Sequence, residues 1–315
     1  MPVSLWLRLF CLELLLVLPG GCQSAAPRPT AAGERPAVTL ALLGDINLGR
    51  GVHPSSQSFD TIAADLKSAD LALANLESPL TSAPVRTDSP YALCAPPVNV
   101  RYLSAAGFDL FALANNHRLD CGEAGLAETE STLAAAGLGF IGPDARVVYR
   151  VVNGIKLAFL AFDATGQLAA FDAGAAQAAV RAARQTGAVV VVSMHWGLEY
   201  QAGATADQQR LAAQLSQAGA ALIWGQHPHV LQPAAWLNQG KTLVLYSLGN
   251  ALFDQAGLES TRRSALVLVR LGAGGVEEMH AIPFVIDVVR SRIVQADPAS
   301  EAAIMQYFRA TQVSK

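Results

Sequence analysis

The chain has 315 residues, 52% of them hydrophobic and 15% charged, so it can bury a large core and is expected to form one sizeable α/β domain rather than two small ones. Its formal net charge is -3, and its lysines and arginines are scattered rather than gathered in a run. This distribution offers no basic surface to a phosphate backbone, so nucleic acid is excluded as an expected partner.

The amino terminus has the layout of an export signal. Arg8 precedes a short apolar stretch, residues 9–18, and Gly20-Gly21-Cys22 follows. A cysteine directly after two glycines resembles the cleavage site of bacterial lipoproteins, in which the cysteine becomes the lipidated terminus. We therefore expect residues 1–21 to be a lipoprotein-type signal and Cys22 to anchor the exported protein in the bacterial cell envelope. An ordinary secretory signal cut nearby, with an incidental Cys22, is the alternative.

Residues 22–37 are small, polar and proline-rich, which predicts a flexible tether, and the folded domain is expected to occupy residues 38–315. Within this domain, apolar runs of strand length alternate with alanine-rich stretches. This alternation is typical of repeated βαβ units, in which buried strands are joined by amphipathic helices. The predicted strands are 38–43, 71–74, 110–114, 157–162, 189–193 and 221–224. The predicted helices are 59–67, 98–106, 122–136, 173–186 and 205–218.

Beyond residue 230, strand-like runs are separated by glycine-rich turns instead of helices. Residues 243–247, 265–271 and 276–286 are predicted strands, and the glycines between 272 and 275 indicate a hairpin. These features predict a second, partly antiparallel sheet, followed by a last helix over about residues 301–310.

Acids stand where the first two predicted strands end. Asp45 follows the first strand and Glu77 the second, and such strand ends are where ligands gather in open α/β sheets. Because a carboxylate can bridge two cations, Asp45 and Glu77 could form the anionic floor of a dinuclear site. An Asp after a strand is, taken alone, more often a turn or cap residue.

An amide and an imidazole follow the third strand. Asn116 and His117 stand within three residues of its end, and Asp120 is placed to orient the His117 imidazole. A histidine satisfied within the core is the alternative for His117.

Three more histidines follow later strands. His195 closely follows the valine-rich run at 189–193, and His227 and His229 come after the next strand. In an extended segment, the spacing of His227 and His229 sends both imidazoles to the same side.

Any one of these clusters could be structural, but five of them at five consecutive strand ends indicate a shared metal centre. The mixture of imidazole, carboxylate and amide oxygen suits two divalent ions of manganese, zinc or iron and does not choose among them. Such a centre would activate water and hold two oxygens of a tetrahedral substrate group. His117, which is not needed as a ligand, would protonate the leaving oxygen.

The combined motifs resemble those of a known family. They are GDINLGRGV (44–52), ANLESPLT (74–81), ANNHRLDCGEAGLAET (114–129), HWGLEY (195–200), GQHPHVLQP (225–233) and YSLGNALFDQ (246–255). Over about residues 38–290 the chain is similar to the CapA family of poly-γ-glutamate capsule-synthesis proteins, within the calcineurin-like metallophosphoesterase superfamily. The resemblance implies a four-layer αββα sandwich with two mixed sheets and a catalytic role for His117. The metal ligands that it implies are Asp45, Glu77, Asn116, His195, His227 and His229.

Two positions depart from the superfamily pattern. Asp45-Ile46-Asn47 stands where Asp-x-His is usual, so either the first metal site lacks an imidazole and binds more weakly or Asn47 supplies its amide oxygen as a ligand. Arg118 replaces an acid after His117, which leaves Asp120 as the nearby group that can orient the imidazole.

Two questions stay open in the sequence. Outside the cytoplasm Cys94 and Cys121 are candidates for one disulfide, and two buried free thiols are an equal alternative. In the last motif, Asn250, Asp254 and Gln255 either line the cleft or only support the fold.

Three functions are compatible with these expectations. The first is an exported, lipid-anchored CapA-type protein with hydrolase chemistry, which acts with capsule-synthesis membrane subunits in making or exporting an anionic polymer such as poly-γ-glutamate. The second is a periplasmic metallophosphoesterase acting on small or lipid phosphoesters. The third is a non-catalytic, polymer-binding component of an export complex, because the motifs alone do not separate catalysis from binding.

Overall fold

The computed structural model describes residues 36–85, 90–144 and 146–311. The expected signal over residues 1–21, Cys22 and nearly all of the expected tether lie outside the described residues. In chain order the strands are β1 Ala37–Ile46, β2 Leu71–Leu76, β3 Leu110–Ala112, β4 Gly139–Ile141, β5 Val148–Val152, β6 Ile155–Asp163, β7 Val189–His195, β8 Ala220–Gln226, β9 Leu231–Leu237, β10 Thr242–Leu248, β11 Asn250–Leu252, β12 Arg263–Gly272, β13 Gly275–Asp287 and β14 Arg292–Gln295. The α-helices are α1 Ala63–Ser68, α2 Val100–Ala106, α3 Gly122–Ala135, α4 Ala173–Gln185, α5 Ala206–Ala218 and α6 Pro298–Met305, and short 3₁₀ helices cover Pro97–Asn99, Glu259–Arg262 and Gln306–Thr311.

The strands form two mixed sheets. The first has the order β14-β13-β12-β1-β2-β3-β4, with β11 paired to β1, and the second has the order β5-β6-β7-β8-β10-β9. Strands β1 to β4 are mutually parallel, as are β6, β7, β8 and β10. Strands β12 to β14, β5 and β9 pair antiparallel to their neighbours. The expectation of two mixed sheets is confirmed.

The layers follow from the alternation of side chains along each strand. On β1, Val38, Leu40 and Leu42 belong to the apolar cluster between the two sheets, whereas Ala41 and Leu43 belong to the cluster shared with helices α1 to α3. A third apolar cluster joins the second sheet to α4 and α5. Three apolar interfaces therefore separate four layers, and the expected αββα sandwich is confirmed.

Most of the predicted elements are present. All six apolar runs predicted as strands between residues 38 and 224 lie in strands, although β3 ends two residues early, at Ala112. Helix α5 shows why a helix can be predicted from local sequence. Thr205 and Gln208 form a reciprocal capping box at its start, and Gly219 ends it with a left-handed φ of 111°. Among the described residues, no helix is both long and apolar enough to cross a membrane.

The prediction of a helix over residues 59–67 is wrong at its start. Helix α1 begins at Ala63, and residues 56–62 form turns. Ser58 gives the physical reason, because its hydroxyl donates to the carbonyl of Ser291 at 2.7 Å and accepts from the backbone N–H of Ser55 at 2.9 Å. These side-chain bonds hold a turn in place where the hydrophobic pattern alone favours a helix.

The prediction that the last strands form a sheet of their own is also wrong. Strand β10 joins the second sheet beside β8, whereas β12, β13 and β14 extend the first sheet from the edge of β1. The hairpin itself is confirmed, with Gly272 opposite Gly275.

The last helix begins earlier than expected, at Pro298, because Asp297 caps the N–H groups of Ala299 and Ser300. Strands β4, β5, β9, β11 and β14 were not predicted.

The two sheets are tied together where β1 ends. The buried Trp224 of β8 donates its Nε1–H to the carbonyl of Leu43 in β1 at 2.9 Å. The next residue, Gly44, has no room for a side chain, because a Cβ there would lie 1.8 Å from the carbonyl oxygen of Gly249. This close approach brings the end of β1 against the connection between β10 and β11, and it positions the residues that follow.

We predict that Gly44→Ala destabilises the fold. The added methyl group would collide with backbone, which cannot move aside as a flexible side chain can, so the expected loss is at least about 1–3 kcal/mol in the free energy of unfolding. Urea denaturation measures it. Gly203→Ala is the matched control, because a Cβ at Gly203 meets nothing within 4 Å. Equal stability of the two variants would contradict the packing described for β1.

Candidate metal centre

Four strands from the two sheets end at the same place and carry the candidate ligands. Asp45 lies near the end of β1, opposite Asn75 in β2, and Glu77 directly follows β2. His195 is the last residue of β7. His227 and His229 follow β8, and all five of these side chains are buried. Residues far apart in sequence therefore meet because parallel strands present their carboxyl ends at one edge.

Glu77 lies at the centre of the cluster. Its Oε1 is 3.7 Å from Nε2 of His195, 3.8 Å from Nε2 of His229 and 3.9 Å from Nε2 of His117. Asp45 adds a second carboxylate, with Oδ2 at 3.4 Å from Nδ1 of His229. Ligand atoms of Asp45, Glu77 and His229 all lie within 4.8 Å of one another, which is close enough to hold one ion.

The cluster fits a bound cation because it buries polar atoms that lack partners. Neither carboxylate oxygen of Glu77, nor Nδ1 of His227, has a hydrogen bond within the described part of the chain. A buried carboxylate without hydrogen bonds is costly, and protein interiors normally avoid it. A divalent cation would satisfy both kinds of atom, because carboxylate oxygen and neutral imidazole nitrogen are common ligands of transition metals.

The charges of the cluster point the same way. Burial and the neighbouring Asp45 raise the pKa of Glu77 to about 8. Burial and the other imidazoles lower the pKa of His195 well below its usual value, and burial lowers that of His227 to about 4, so both rings are neutral and keep a lone pair. Burial opposes protonation of His229, but Glu77 and Asp45 outweigh it and raise its pKa to about 9. The metal-free cluster therefore retains a proton that cation binding would release.

Amide side chains surround the ligands and fix their orientation. Asn75 donates to Oδ1 of Asp45 at 2.8 Å, and Asn115 donates in turn to Oδ1 of Asn75 at 3.2 Å. Nδ1 of His229 lies 2.9 Å from Oδ1 of Asn250, which turns Nε2 of that ring toward Glu77. The roles of Asn75 and Asn115 were missed from the sequence. Their position at strand ends, beside the candidate ligands, was the available signal.

The two histidines after β8 do not lie in an extended segment, so that part of the prediction is wrong. His227 and His229 have φ values of 92° and 58°, in the left-handed region, within the turn between β8 and β9. Their ring centroids are nevertheless 6.1 Å apart, and the His227 ring lies 4.8 Å from that of His195. Positive φ at a residue other than glycine costs on the order of 1–3 kcal/mol, and such strain concentrates at functional sites.

Of the two amides expected as ligands, one meets the cluster. Oδ1 of Asn116 lies 2.7 Å from Nε2 of His195, and its Nδ2 donates to Gln167 at 3.1 Å. Asn47 is buried but engaged elsewhere, because its Oδ1 accepts from the N–H of Gly49 at 2.8 Å and its Nδ2 donates to Asp254 at 3.5 Å. Coordination by Asn47 would compete with this turn.

His117 and Asp120 form a dyad at the edge of the cluster. Nδ1 of His117 lies 2.8 Å from Oδ2 of Asp120, and the opposite nitrogen faces Glu77. Burial disfavours the imidazolium, but the bond to Asp120 and the charge of Glu77 outweigh it and raise the pKa of His117. The neighbouring Arg118 pairs with Asp163 at 2.8 Å and donates to the carbonyl of Asn115 at 2.8 Å.

A disulfide holds the far side of this dyad. Cys94 and Cys121 are bonded, which decides between the two alternatives left open by the sequence. The backbone N–H of Leu93, next to Cys94, donates to Oδ2 of Asp120 at 2.9 Å. The disulfide therefore joins the segment that carries Asp120 to the segment whose N–H binds the Asp120 carboxylate.

A cavity of about 330 Å³ opens beside the cluster. Its lining residues are Arg50, Tyr91, Leu93, Asn116, His117, Gln167, Glu199, Tyr200, His229, Phe253 and Gln255. The volume is in the range of small-molecule binding sites. A second cavity of about 390 Å³ is lined by Arg184, Lys241 and neighbouring residues, and contains none of the clustered side chains.

Known proteins are similar to this chain in sequence, and others are similar in fold. Residues 39–255 match the family described as bacterial capsule synthesis protein PGA_cap. The capsule biosynthesis protein CapA of Bacillus anthracis is 31% identical over 301 residues, covering 83% of this chain and 70% of the relative, and the PGA biosynthesis protein CapA of Bacillus subtilis is 30% identical over 295 residues, covering 85% and 77%.

Two solved structures are similar at lower sequence identity. A novel phosphatase from Mycoplasma pneumoniae is 14% identical, with a TM-score of 0.55, and the match covers 87% of this chain and 99% of that one. A hypothetical protein from Thermus thermophilus is 17% identical, with a TM-score of 0.52 and coverage of 78% and 98%. At these identities the two structures show a shared fold alone. The family match, which includes every candidate ligand from Asp45 to His229, confirms the resemblance seen in the motifs: the chain belongs to the bacterial capsule synthesis protein family PGA_cap.

Proposed function

We propose that this protein is a metal-dependent hydrolase of the cell envelope that acts on an anionic capsule polymer such as poly-γ-glutamate during its synthesis or export. The observation that carries the proposal is the buried Glu77. Its Oε1 lies 3.7–3.9 Å from three imidazole nitrogens, and neither of its oxygens has a hydrogen bond among the described residues. The polymer is suggested by the names of the relatives, which are proteins of capsule and PGA biosynthesis.

The centre is proposed to hold two divalent ions of manganese, zinc or iron. The proposed ligands are Asp45, Asn47, Glu77, Asn116, His195, His227 and His229, and Asn47 would have to release the N–H of Gly49 to coordinate. Bound cations would supply Lewis acidity, which activates water and polarises the substrate. Two carboxylates, three imidazoles and two amide oxygens suit these ions better than magnesium or calcium, which prefer oxygen ligands alone.

His117 is proposed to be the general acid, and Asp120 its positioning residue. The Asp120 carboxylate accepts a hydrogen bond from Nδ1 and so leaves Nε2 facing the cluster and the cavity. The raised pKa of His117 means that a larger fraction of the molecules carries a protonated imidazole near neutral pH, which suits donation of a proton to a leaving oxygen or nitrogen.

A second candidate is hydrolysis of small or lipid phosphoesters, which the His117–Asp120 dyad beside two buried carboxylates equally favours, because an alkoxide leaving group also needs a proton. A third is polymer binding without turnover. The three candidates differ in which substrates the parent protein cleaves, if any, and in how far His117→Ala lowers kcat.

The metal centre is tested by thermal unfolding. Metal-stripped protein should gain stability on addition of Mn²⁺ or Zn²⁺, by about 2.7 kcal/mol when free metal is 100-fold above its dissociation constant. Glu77→Gln should abolish most of this gain, because it removes the central carboxylate. Glu301→Gln, an exposed acid on α6, is the matched control and should behave as the parent. Metal analysis of the parent by mass spectrometry accompanies the unfolding curves, and an equal gain in both variants would refute the assigned centre.

Turnover is tested with a substrate panel. The metal-loaded parent is incubated with poly-γ-glutamate and with small and lipid phosphoesters, and products are quantified. His117→Ala should lower kcat about 100- to 10,000-fold, the usual contribution of a general acid, with little change in metal content. Cleavage of phosphoesters only would favour the second candidate. No turnover by the parent, together with polymer binding that His195→Ala removes, would establish the third.

Export and anchoring are tested separately. We propose that residues 1–21 are cleaved and that Cys22 carries a lipid, since Gly20 and Gly21 precede it as in lipoprotein signals. Cys22→Ser should move the protein from the membrane to the soluble fraction of cell extracts, because the acyl chains supply the membrane affinity. Cys11→Ser is the control. Unchanged membrane association of Cys22→Ser would count against the anchor.

A further inference from the structure

Arg50 is a rigid cationic side chain in the same cavity as the metal centre. His117, His229 and Arg50 all line this cavity. Apart from the imidazoles, Arg50 is the one basic side chain among the lining residues that the structure describes. The hydrogen bond to Asp254 is the main cause of the raised pKa of Arg50, and the charge of Glu77 adds to it.

The guanidinium is held in place by a carboxylate and an aromatic ring. Its Nε donates to Oδ2 of Asp254 at 2.6 Å, and its Nη2 donates to the other oxygen of the same carboxylate. The Phe253 ring lies below it, with its centroid 5.7 Å from Cζ. Asp254 is itself fixed by the N–H of Gly51 at 3.2 Å, and the Arg50 backbone adopts a φ of 50°. A strained backbone and a bidentate pair are not typical of a loose surface arginine.

This arrangement leaves one edge of the guanidinium for a ligand. A guanidinium has five N–H donors and can present two forks to planar anions. Asp254 occupies the fork formed by Nε and Nη2. Besides the bond from Nη2 to Asp254, the other fork, formed by Nη1 and Nη2, has one contact within the described residues, from Nη1 to the carbonyl of Tyr91 at 3.4 Å, which is long for a hydrogen bond. The Arg50 side chain remains 27% exposed.

The chemistry of this edge favours a carboxylate. Because Asp254 balances the charge of Arg50, the pair offers directed hydrogen bonds rather than excess positive charge, and a planar carboxylate matches two parallel N–H groups. The exposed rings of Tyr91 and Tyr200 provide apolar surface at the mouth of the cavity for the aliphatic part of a ligand.

We propose that Arg50 is a specificity-determining residue that binds a substrate carboxylate next to the group held at the metal centre. The substrate class is then a polymer or ester in which a free carboxylate lies close to the bond that is cleaved, as in γ-linked glutamate, where every unit carries one. This inference rests on the proposed function, since it concerns the same cavity. Asp254 is the positioning residue of Arg50.

The inference is tested by binding rather than by turnover. Isothermal titration of the metal-loaded protein uses γ-linked triglutamate and the same peptide with its α-carboxylates amidated. The parent should prefer the carboxylated peptide. Arg50→Gln should weaken binding of that peptide about 10- to 100-fold, the worth of a charged bidentate hydrogen bond, and leave the amidated peptide unaffected. Arg50→Lys should also lose most of the affinity, because it keeps the charge and lacks the fork.

Arg184→Gln, in the other cavity, is the matched control and should bind as the parent. Thermal unfolding and metal content show that each variant is folded and loaded. The inference is overturned if the parent does not prefer the carboxylated peptide, or if Arg50→Gln binds it within about twofold of the parent, which is well below the smallest loss expected for a charged hydrogen bond. If the parent binds the carboxylated peptide through Arg50 but cleaves no substrate, the proposed hydrolase is refuted and the role of Arg50 stands. If the parent cleaves the polymer and Arg50→Gln binds the carboxylated peptide as the parent does, the hydrolase stands and the role of Arg50 is refuted.

Discussion

The burial of two carboxylates side by side is the constraint on which the site depends. Desolvating an ionised carboxylate costs several kcal/mol, a large part of the roughly 5–15 kcal/mol by which a domain is stable. Asp45 is compensated by the amide of Asn75 and the backbone N–H of His227. Glu77 has no such bond among the described residues and is surrounded instead by imidazoles. The fold thus carries a charge arrangement that protein groups alone leave incomplete.

Two sheets are needed to build this arrangement, because the ligands come from both. The first sheet supplies the carboxylates and the second supplies His195, His227 and His229. Their edges meet through the bond from Trp224 to the Leu43 carbonyl and through the close backbone contact at Gly44. Packing between the sheets therefore sets the distances between the ligands, so a change in the apolar layer between the sheets would also move the candidate ligands.

The sequence predicted the inner strands and the residues that end them, for a physical reason. Parallel strands buried on both faces are continuous apolar runs, so the polar residue that stops each run stands out, as Asp45 and His195 do. Edge strands such as β5 and β14 lack this signal because part of each faces solvent. Which sheet receives β10 or β12 depends on pairing with strands far away in sequence, which local patterns do not encode.

The site shows the same division. Residue types and strand ends indicated the clustered side chains, but not the left-handed turn at His227 and His229, which tertiary packing imposes against local preference. Asn75 and Asn115 are ordinary strand-end amides until the structure shows them bonded in series to Asp45. Arg50 lies in a motif whose glycines indicate a turn, and only the distant Asp254 makes it a fixed guanidinium.

The crosslink between Cys94 and Cys121 has a consequence for the integrity of the chain. The two cysteines are 27 positions apart and enclose α2, β3 and the segment that bears Asn116 and His117. A protease that cuts once inside this loop cannot separate the two halves, since they stay joined through sulfur. A molecule cut in this loop would keep His117 and Asp120 attached to the rest of the chain. In denaturing electrophoresis it would separate into two fragments only after the disulfide is reduced. Wherever peptidases are abundant, such a loop tolerates damage that would dismantle an uncrosslinked one.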